Sequence, residues 1–339
     1  MTALNRFDSS TMEILYLAQH APKTGDAELQ PHPHPIHGMK PLYHNAIFEI
    51  LKGLGFSVKS SSTLEDLLAI GRDFDYVFSL YNRAPFRACE VFVSTVCEFL
   101  HLPYLGGTPE IRAIAEDKHL AKVLARFLKI PTPQWKIYRM GESLFPPRFA
   151  GPYFSKPRFG AGSSFIDETS IHDSWDSAHC KLQELFAHCT DVILEKFVEG
   201  TNVNCAIIGG SPPLILPLVK STSTLRGEVQ TAAQKKLLEG GLNRSIFLDE
   251  QRSQEIINYS RRLYGHTQPL DYTRIDFRVP YDPAKKASML EFNVCPNLGS
   301  HSTIVFAGQH VGMSQVELVT SILDHSFRRQ GIVDARLAK

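Results

Sequence analysis

The sequence predicts an α/β protein built in two styles, and three observations predict it. Residues 12–107 alternate short apolar strands with segments of helical period, the pattern of a parallel sheet covered by helices. After "PTPQW" (131–135) the pattern changes to strands broken by Gly and Pro. Two late strands, in "TRIDFRV" and "LEFNV", carry charged and amide side chains on one face and apolar side chains on the other.

Taken in order, "MEILYLA" (12–18) reads as a first strand. "LYHNAIFEILKGLGF" places Ile47, Ile50, Leu51 and Leu54 at helical spacing and ends in glycines. "SVKS" is a second strand, "LEDLLAI" a short helix, "DYVFSLY" (75–81) a third strand, "ACEVFVSTVCEFLHL" a helix and "PYLGG" a further short strand. From Pro109 a helical stretch runs to Ile130, with Ile111, Ile114, Leu120, Leu124, Phe127 and Leu128 as its apolar stripe. The β-rich part follows: "YFSKPRFGAGSSFID" as strand, turn and strand, then "VILEKFVEG", "NVNCAIIGG" and "LILPLV". "SQEIINYSRRLYG" is a helix, "YTRIDFRV" and "SMLEFNV" flank a turn, and "SQVELVTSILDHSFR" closes the chain as a helix. The Pro/His segment at 30–38 reads as a Pro-stiffened loop rather than a metal site.

The bulk numbers exclude several functions. Lys plus Arg total 36 against 35 for Asp plus Glu, so the net charge of +1 supplies no basic field for nucleic acid or for a membrane surface. No apolar run approaches the roughly 20 residues of a membrane span, and the N-terminus lacks the basic and apolar regions of a secretory signal. Six scattered Cys with no CxxC pair argue for reduced thiols in the cytoplasm rather than a disulfide framework or zinc site.

The chemistry concentrates in a few segments. On a strand, Arg274 and Asp276 share one face, and on the next strand so do Glu291 and Asn293. If the apolar faces pack inward, the two carboxylates and the carboxamide converge with Arg274 beside them. They are hard oxygen ligands suited to Mg2+ that also holds phosphates, or else an exposed salt-bridge pattern on a hairpin. "YFSKPRFGAGSSFI" adds Lys156 and a turn of Gly160, Gly162, Ser163 and Ser164 able to fold over phosphates, although GxxxxGK[ST] occurs nowhere. Lys118 in "EDKHLAK" opens a helix, and "VILEKFVEG" ends a strand with Glu195 and Lys196.

The order of these segments resembles the ATP-grasp superfamily, and within it the D-alanine–D-alanine ligase family. "EFNVCPNLGSHS" (291–302) is similar to that family's E-x-N-x-x-P-G-x-x-x-x-S segment, and the likeness runs over roughly residues 75–325. It implies an ATP-grasp fold with an N-terminal Rossmann-like (pre-ATP-grasp) domain at 1–108, a central lid subdomain at 109–198 and a catalytic subdomain at 199–339, the last two clasping ATP. By the same resemblance Lys118 and Lys156 contact ATP phosphates, with Ser163 and Ser164 in a mobile loop above them. Glu195, Lys196 and Val198 hold adenine, and Asn202 stands where the family has a ribose-binding Glu. Asp276, Glu291 and Asn293 hold two Mg2+ ions, for which Mn2+ can substitute. Arg274 stabilises charge on the reacting carboxyl group, Ser302 seats the second substrate's carboxylate, and Lys235 is the loop lysine near the γ-phosphate.

The departures lie at the first-substrate pocket. "LAQHAPKTGD" replaces the family's Gly-Gly-x-Ser-x-Glu, "LYNRAPF" brings Asn82 and Arg83, and Asn297 takes the place of a Gly. The expectation is an ADP-forming carboxylate–amine ligase of the acid–amino-acid type. It works through an acylphosphate on small carboxylic or amino-acid-like substrates, in specialised natural-product biosynthesis. The alternatives are an intramolecular cyclising ligase, a small-molecule kinase or a non-catalytic nucleotide-binding module. The expected partners are a small-molecule carboxylate and amine and a second copy in a homodimer, with no nucleic acid and no membrane.

Overall fold

In the computed structural model, which describes residues 12–22, 40–81, 89–160, 162–163, 165–231, 234 and 242–332, the strands form three sheets. The first is parallel: β1 (Glu13–Leu17) lies between β2 (Ser57–Ser61) and β3 (Tyr76–Ser79). Ile14 and Tyr16 face one core and Leu15 and Leu17 another, so both faces of β1 are buried, as a central parallel strand requires. Helix α1 (Lys40–Gly53) packs on the first face, and α2 (Glu65–Ile70) and α3 (Cys89–Leu100) on the second. The expected strand at "PYLGG" is absent, because only Tyr104 joins the sheet, through an isolated bridge to Val77.

The helix-rich stretch from Pro109 consists of α4 (Pro109–Glu116) and α5 (Lys118–Phe127), and Lys118 opens the second helix as its sequence indicates. Asp117 between them is extended, and its carboxylate accepts from the N–H groups of His119 and Leu120, capping α5. Arg158 grips the same carboxylate at 2.7 and 2.9 Å and reaches Asp191 at 2.9 Å. The expected apolar stripe is also corrected. Leu120 and Phe127 lie outside, Phe127 at 77% exposure, and α5 buries Lys118, Ala121, Lys122 and Ala125 instead.

The second sheet is antiparallel in the order β4 (Trp135–Arg139), β7 (Asp191–Lys196), β5 (Tyr153–Pro157), β6 (Ile171–His172), backed by α6 (Trp175–Leu185). The strand expected just after the Gly/Ser turn does not form there. The chain turns through 165–170, and β5 meets its partner at 171–172.

The third sheet carries β8 (Gly200–Ile208), β9 (Leu214–Ile215), β10 (Val219–Ser223), β11 (Leu242–Ile246), β12 (Tyr272–Pro280) and β13 (Ser288–Asn293), in the order β11-β10-β8-β12-β13 with β9 on β8. Gly200 lets β8 cross β12 closely, since a Cβ there would lie 2.1 Å from the Val279 carbonyl oxygen. One face packs on α4, α5 and α7 (Glu250–His266) through Ile275, Phe277, Met289 and Phe292. Beyond β13 come α8 (Thr303–His310) and α9 (Gln315–Arg329).

Helix α9 fastens the third sheet to the first. Phe327 stacks edge-on against Tyr76 at 4.8 Å, and the Tyr76 hydroxyl lies 2.7 Å from Ser326 Oγ. Arg329 donates to the buried Asp271 at 2.7 Å, whose other oxygen accepts from the Gly106 N–H at 2.6 Å. The Asp271 charge is thereby paired as well as hydrogen-bonded, the condition under which burial is tolerated.

Candidate active site

The hairpin of β12 and β13 forms the floor. Arg274 stands opposite Asn293 and Asp276 opposite Glu291, in antiparallel register, with a bulge after Asp276. Their apolar neighbours Ile275, Phe277 and Phe292 are buried beneath, so the polar face turns to the cleft. The exposed-hairpin reading fails, because Asp276 is only 9% accessible. Arg274 Nε and one terminal nitrogen donate to the two Asp276 oxygens at 2.7 and 2.8 Å. Asn204 Nδ2 on β8 donates to Asp276 Oδ1 at 2.7 Å. Asn293 Nδ2 reaches Asp276 Oδ2 and the Arg274 carbonyl at 3.4 Å. Burial alone would lower the Arg274 pKa, but the Asp276 carboxylate beside it raises it. Among the described residues no group of three His, Cys, Asp or Glu side chains is placed to hold a metal, so the donor set is two carboxylates and one carboxamide. That set suits a hard cation carrying phosphate ligands as well.

Facing the floor is a buried charge triad. Glu195 Oε1 on β7 lies 3.0 Å from Lys122 Nζ and 3.1 Å from Lys156 Nζ, with side-chain exposures of 3%, 0% and 5%. Burial would raise the Glu195 pKa, but the two ammonium groups hold it below the usual carboxylate range. Burial pushes Lys122 down to about 8 despite Glu195. Lys122 also donates to Thr132 Oγ1 at 2.8 Å, which passes a hydrogen bond to the Met289 carbonyl at 2.8 Å. Lys118, one helical turn before Lys122, donates to the Gly160 carbonyl, while the Lys118 N–H donates to the Arg158 carbonyl at 3.1 Å. The start of α5 and the Gly/Ser turn are therefore one unit. The Lys118 pKa is lowered by burial, which Glu291 opposes.

Two cavities meet over this floor. The first has apolar walls from Phe154, Ile166, Phe197 and Val198, with Lys156 and Ser163 at its rim and Asn202 and Arg278 below. Arg278 donates to the Val198 carbonyl at 2.9 Å and the Gly227 carbonyl at 2.5 Å, tying the strand connection to the turn at 226–228. Asn202 donates to the Glu228 carbonyl at 3.0 Å. The second reaches toward α1 and α3 and includes Lys40, Tyr43, His44, Glu90, Arg244 and Ser302. Asn204, Gln230, Asp276 and Glu291 line both, so the two spaces are continuous at the floor. Ser302 caps α8, its Oγ accepting from the Val305 N–H at 3.3 Å. Asn297 folds its Oδ1 back onto the Gly299 N–H at 2.6 Å.

The expected residues thus gather around one cleft: Lys118, Lys156, Ser163, Glu195, Lys196, Val198 and Asn202 beside the first cavity, and Arg274, Asp276, Glu291, Asn293 and Ser302 at the floor or the second. Lys235, Ser164, Asn82, Arg83 and the 30–38 loop lie outside the described residues. Four contributors were missed from sequence. Lys122 had a signal, since a residue four after Lys118 shares its helix face. Asn204 sits two residues after Asn202 on the same strand face. Glu90 and Arg244 offered no pattern.

With that geometry described, the comparisons with known proteins are specific. A sequence model of one family, described as "D-ala D-ala ligase C-terminus", matches residues 142–324, more than half of the chain. A D-alanine–D-alanine ligase of Nitrosomonas eutropha is 27% identical over 270 residues, covering 78% of this chain and 82% of its own. The ATP complex of D-alanine–D-alanine ligase from Bacillus anthracis superposes with a TM-score of 0.71 at 18% identity, covering 94% of this chain and 99% of the other. The VanG D-Ala:D-Ser ligase of Enterococcus faecalis gives 0.67 at 16% identity, covering 93% and 99%.

Proposed function

This chain belongs to the D-alanine–D-alanine ligase family and has its ATP-grasp fold, and on that premise we propose that it is an ADP-forming carboxylate–amine ligase. The observation that carries this reading is the continuity of the two cavities at Asp276 and Glu291, beside Arg274. In this reading adenine lies between Phe154, Phe197 and Val198, and the phosphates run past Lys156 and Lys118 to the floor. A hydroxyl kinase would need the floor; it would not need Arg274 poised over the second cavity.

Asp276, Glu291 and Asn293 would hold two Mg2+ ions, or Mn2+ in their place. Bound there, the cations neutralise the charge that builds on the transferred phosphoryl group. A substrate carboxylate oxygen takes the γ-phosphoryl group, giving an acylphosphate and ADP. The amine nitrogen then bonds to the acyl carbon, phosphate leaves with the C–O bond's electrons, and the amine gives up a proton. Arg274, with two of its nitrogens fixed by Asp276, presents its remaining terminal nitrogen to the tetrahedral oxyanion. Ser163 and its loop exclude water, which protects the acylphosphate. Lys235 and Ser164 complete the phosphate contacts in the proposal.

The second cavity supports a donor other than D-alanine, and hence a role in specialised metabolism. Its wall of Lys40, Tyr43, His44 and Glu90 goes with the sequence that replaced the family's N-terminal motif. The proposal takes 1–108, 109–198 and 199–339 as its structural units, and the protein as a cytoplasmic homodimer. No helix among the described residues is long and apolar enough to cross a membrane.

The test is release of ADP and phosphate against a panel of carboxylic acids, with and without amines. Amine-dependent release with an amide product supports the ligase. A stable phosphorylated product that accumulates without amine contradicts it, and a single substrate giving ADP and a ring identifies the cyclising variant.

A further inference from the structure

The two lysines read as phosphate contacts belong to different layers of the molecule, and one arginine ties those layers together. Lys118 opens α5, which packs on the third sheet, whereas Lys156 lies on β5 of the second. Both line one small cavity with Ser163 and Glu291, where Lys156 acts on Lys118 as a like charge. Two ammonium groups that repel each other stay side by side only if their backbones are fixed. Arg158 supplies that fixture, with its side chain only 13% exposed. Its Nε and one terminal nitrogen donate to the two oxygens of Asp117 at 2.9 and 2.7 Å. Its other terminal nitrogen donates to Asp191 Oδ2 at 2.9 Å. Asp117 immediately precedes Lys118, and Asp191 opens β7, the strand whose Glu195 pairs with Lys156.

The backbone repeats the tie. The Lys118 N–H donates to the Arg158 carbonyl and the Arg158 N–H to the Asp191 carbonyl, both at 3.1 Å. Phe159 forms an isolated antiparallel bridge with Asp117. The charges agree with the geometry. Hydrogen bonding to Asp117 raises the Arg158 pKa, and although burial would raise that of Asp117, Arg158 holds it below the usual carboxylate range. Among the described residues no other cation pairs with Asp117, and Asp191 has only Arg139 besides, at 4.0 Å. A planar fork can serve two carboxylates at once, and an ammonium cannot copy it.

We propose that Arg158 is a positioning residue for ATP, holding Lys118 and Lys156 in one frame so that both meet the phosphates together. This rests on the ligase reading, which runs the ATP phosphates past those two lysines. Arg158 acts through them and not on the nucleotide, so its loss is felt at the phosphates and not at adenine.

Calorimetric titration of the full chain in Mg2+, with ATP and with adenosine, tests this. Arg158→Gln is expected to weaken ATP roughly 10–100-fold, the scale of a contact held out of place, while adenosine binds as in wild type. Arg158→Lys keeps the charge without the fork and should recover part of the loss. In an Asp117→Asn background, Arg158→Gln should cost less than it does alone, because the two side chains act as a pair. The proposal is overturned if Arg158→Gln binds ATP as tightly as wild type. It is equally overturned if ATP and adenosine weaken alike, which is what a general loss of structure would produce. Should Arg158→Gln fail to fold, the same comparison of ATP with adenosine in Arg158→Lys decides. A wild type whose ATP binding depends on Arg158, yet which forms no amide from any acid and amine, sinks the ligase reading and leaves the positioning role standing.

Discussion

On the β12–β13 floor, Asp276 meets Arg274, Asn204 and Asn293, while across the adjoining chamber Arg244 Nε and Thr303 Oγ1 have no hydrogen-bond partner among the described residues. The floor is pre-assembled: Arg274 and Asp276 are paired before any substrate arrives, which suits groups that must stand still while charge moves over them. The chamber is left incomplete, as a site is when its ligand supplies the missing half of a hydrogen-bond set.

Perturbing the floor is expected to have the largest effect. Glu291→Gln should lower ATP turnover by roughly 10^3-fold, the scale of losing a charge that stabilises phosphoryl transfer, with the melting temperature unchanged. Steady-state ADP release checks the first and calorimetry the second. Full activity would remove Glu291 from the metal set. Next comes the triad. Glu195→Gln leaves Lys122 and Lys156 without their buried counter-charge and should destabilise the protein by about 3–5 kcal/mol in urea unfolding. Adding Lys122→Met should recover part of that loss, and failure to do so would mean that the two lysines do not depend on Glu195.

A smaller effect is expected from pH. Folding lowers the Lys122 pKa from its ordinary 10.5 to about 8. Between those values the unfolded chain binds more protons, so the contribution of Lys122 to stability rises with pH through this window. Function should move the other way. As Lys122 loses its proton near pH 8, Glu195 draws on Lys156 alone and ATP binding weakens. The KM for ATP should therefore climb above about pH 8 in wild type but stay flat in Lys122→Met. The smallest effect is expected on the outer face of α5, where Phe127→Ser should change stability by no more than about 0.5 kcal/mol. A loss of several kcal/mol would mean that this exposed ring is covered by something else, such as a second copy.

Residue pattern gave access to the floor because strand periodicity forces Arg274 and Asp276, and Glu291 and Asn293, onto common faces. It failed at α5 for an equally physical reason. Leu120 and Phe127 imitate a core stripe, yet the helix turns Lys122 inward, where Glu195, some 70 residues later, balances it. That pairing is tertiary, and no local window contains it. The chamber wall likewise combines Lys40, Glu90, Arg244 and His301 from four separate elements or turns. The short β6 and β11, together with α6 and α8, have too few residues or too weak a periodicity to stand out.

The central claim is activation of a carboxylate by phosphoryl transfer before amide formation, and isotope transfer tests it most directly. With a donor acid from the panel labelled with 18O in its carboxylate, ATP and an amine, the account predicts that the phosphate released with ADP carries one 18O atom from the donor. Unlabelled phosphate accompanying ADP and product, or retention of both labelled oxygens in the product, would contradict it.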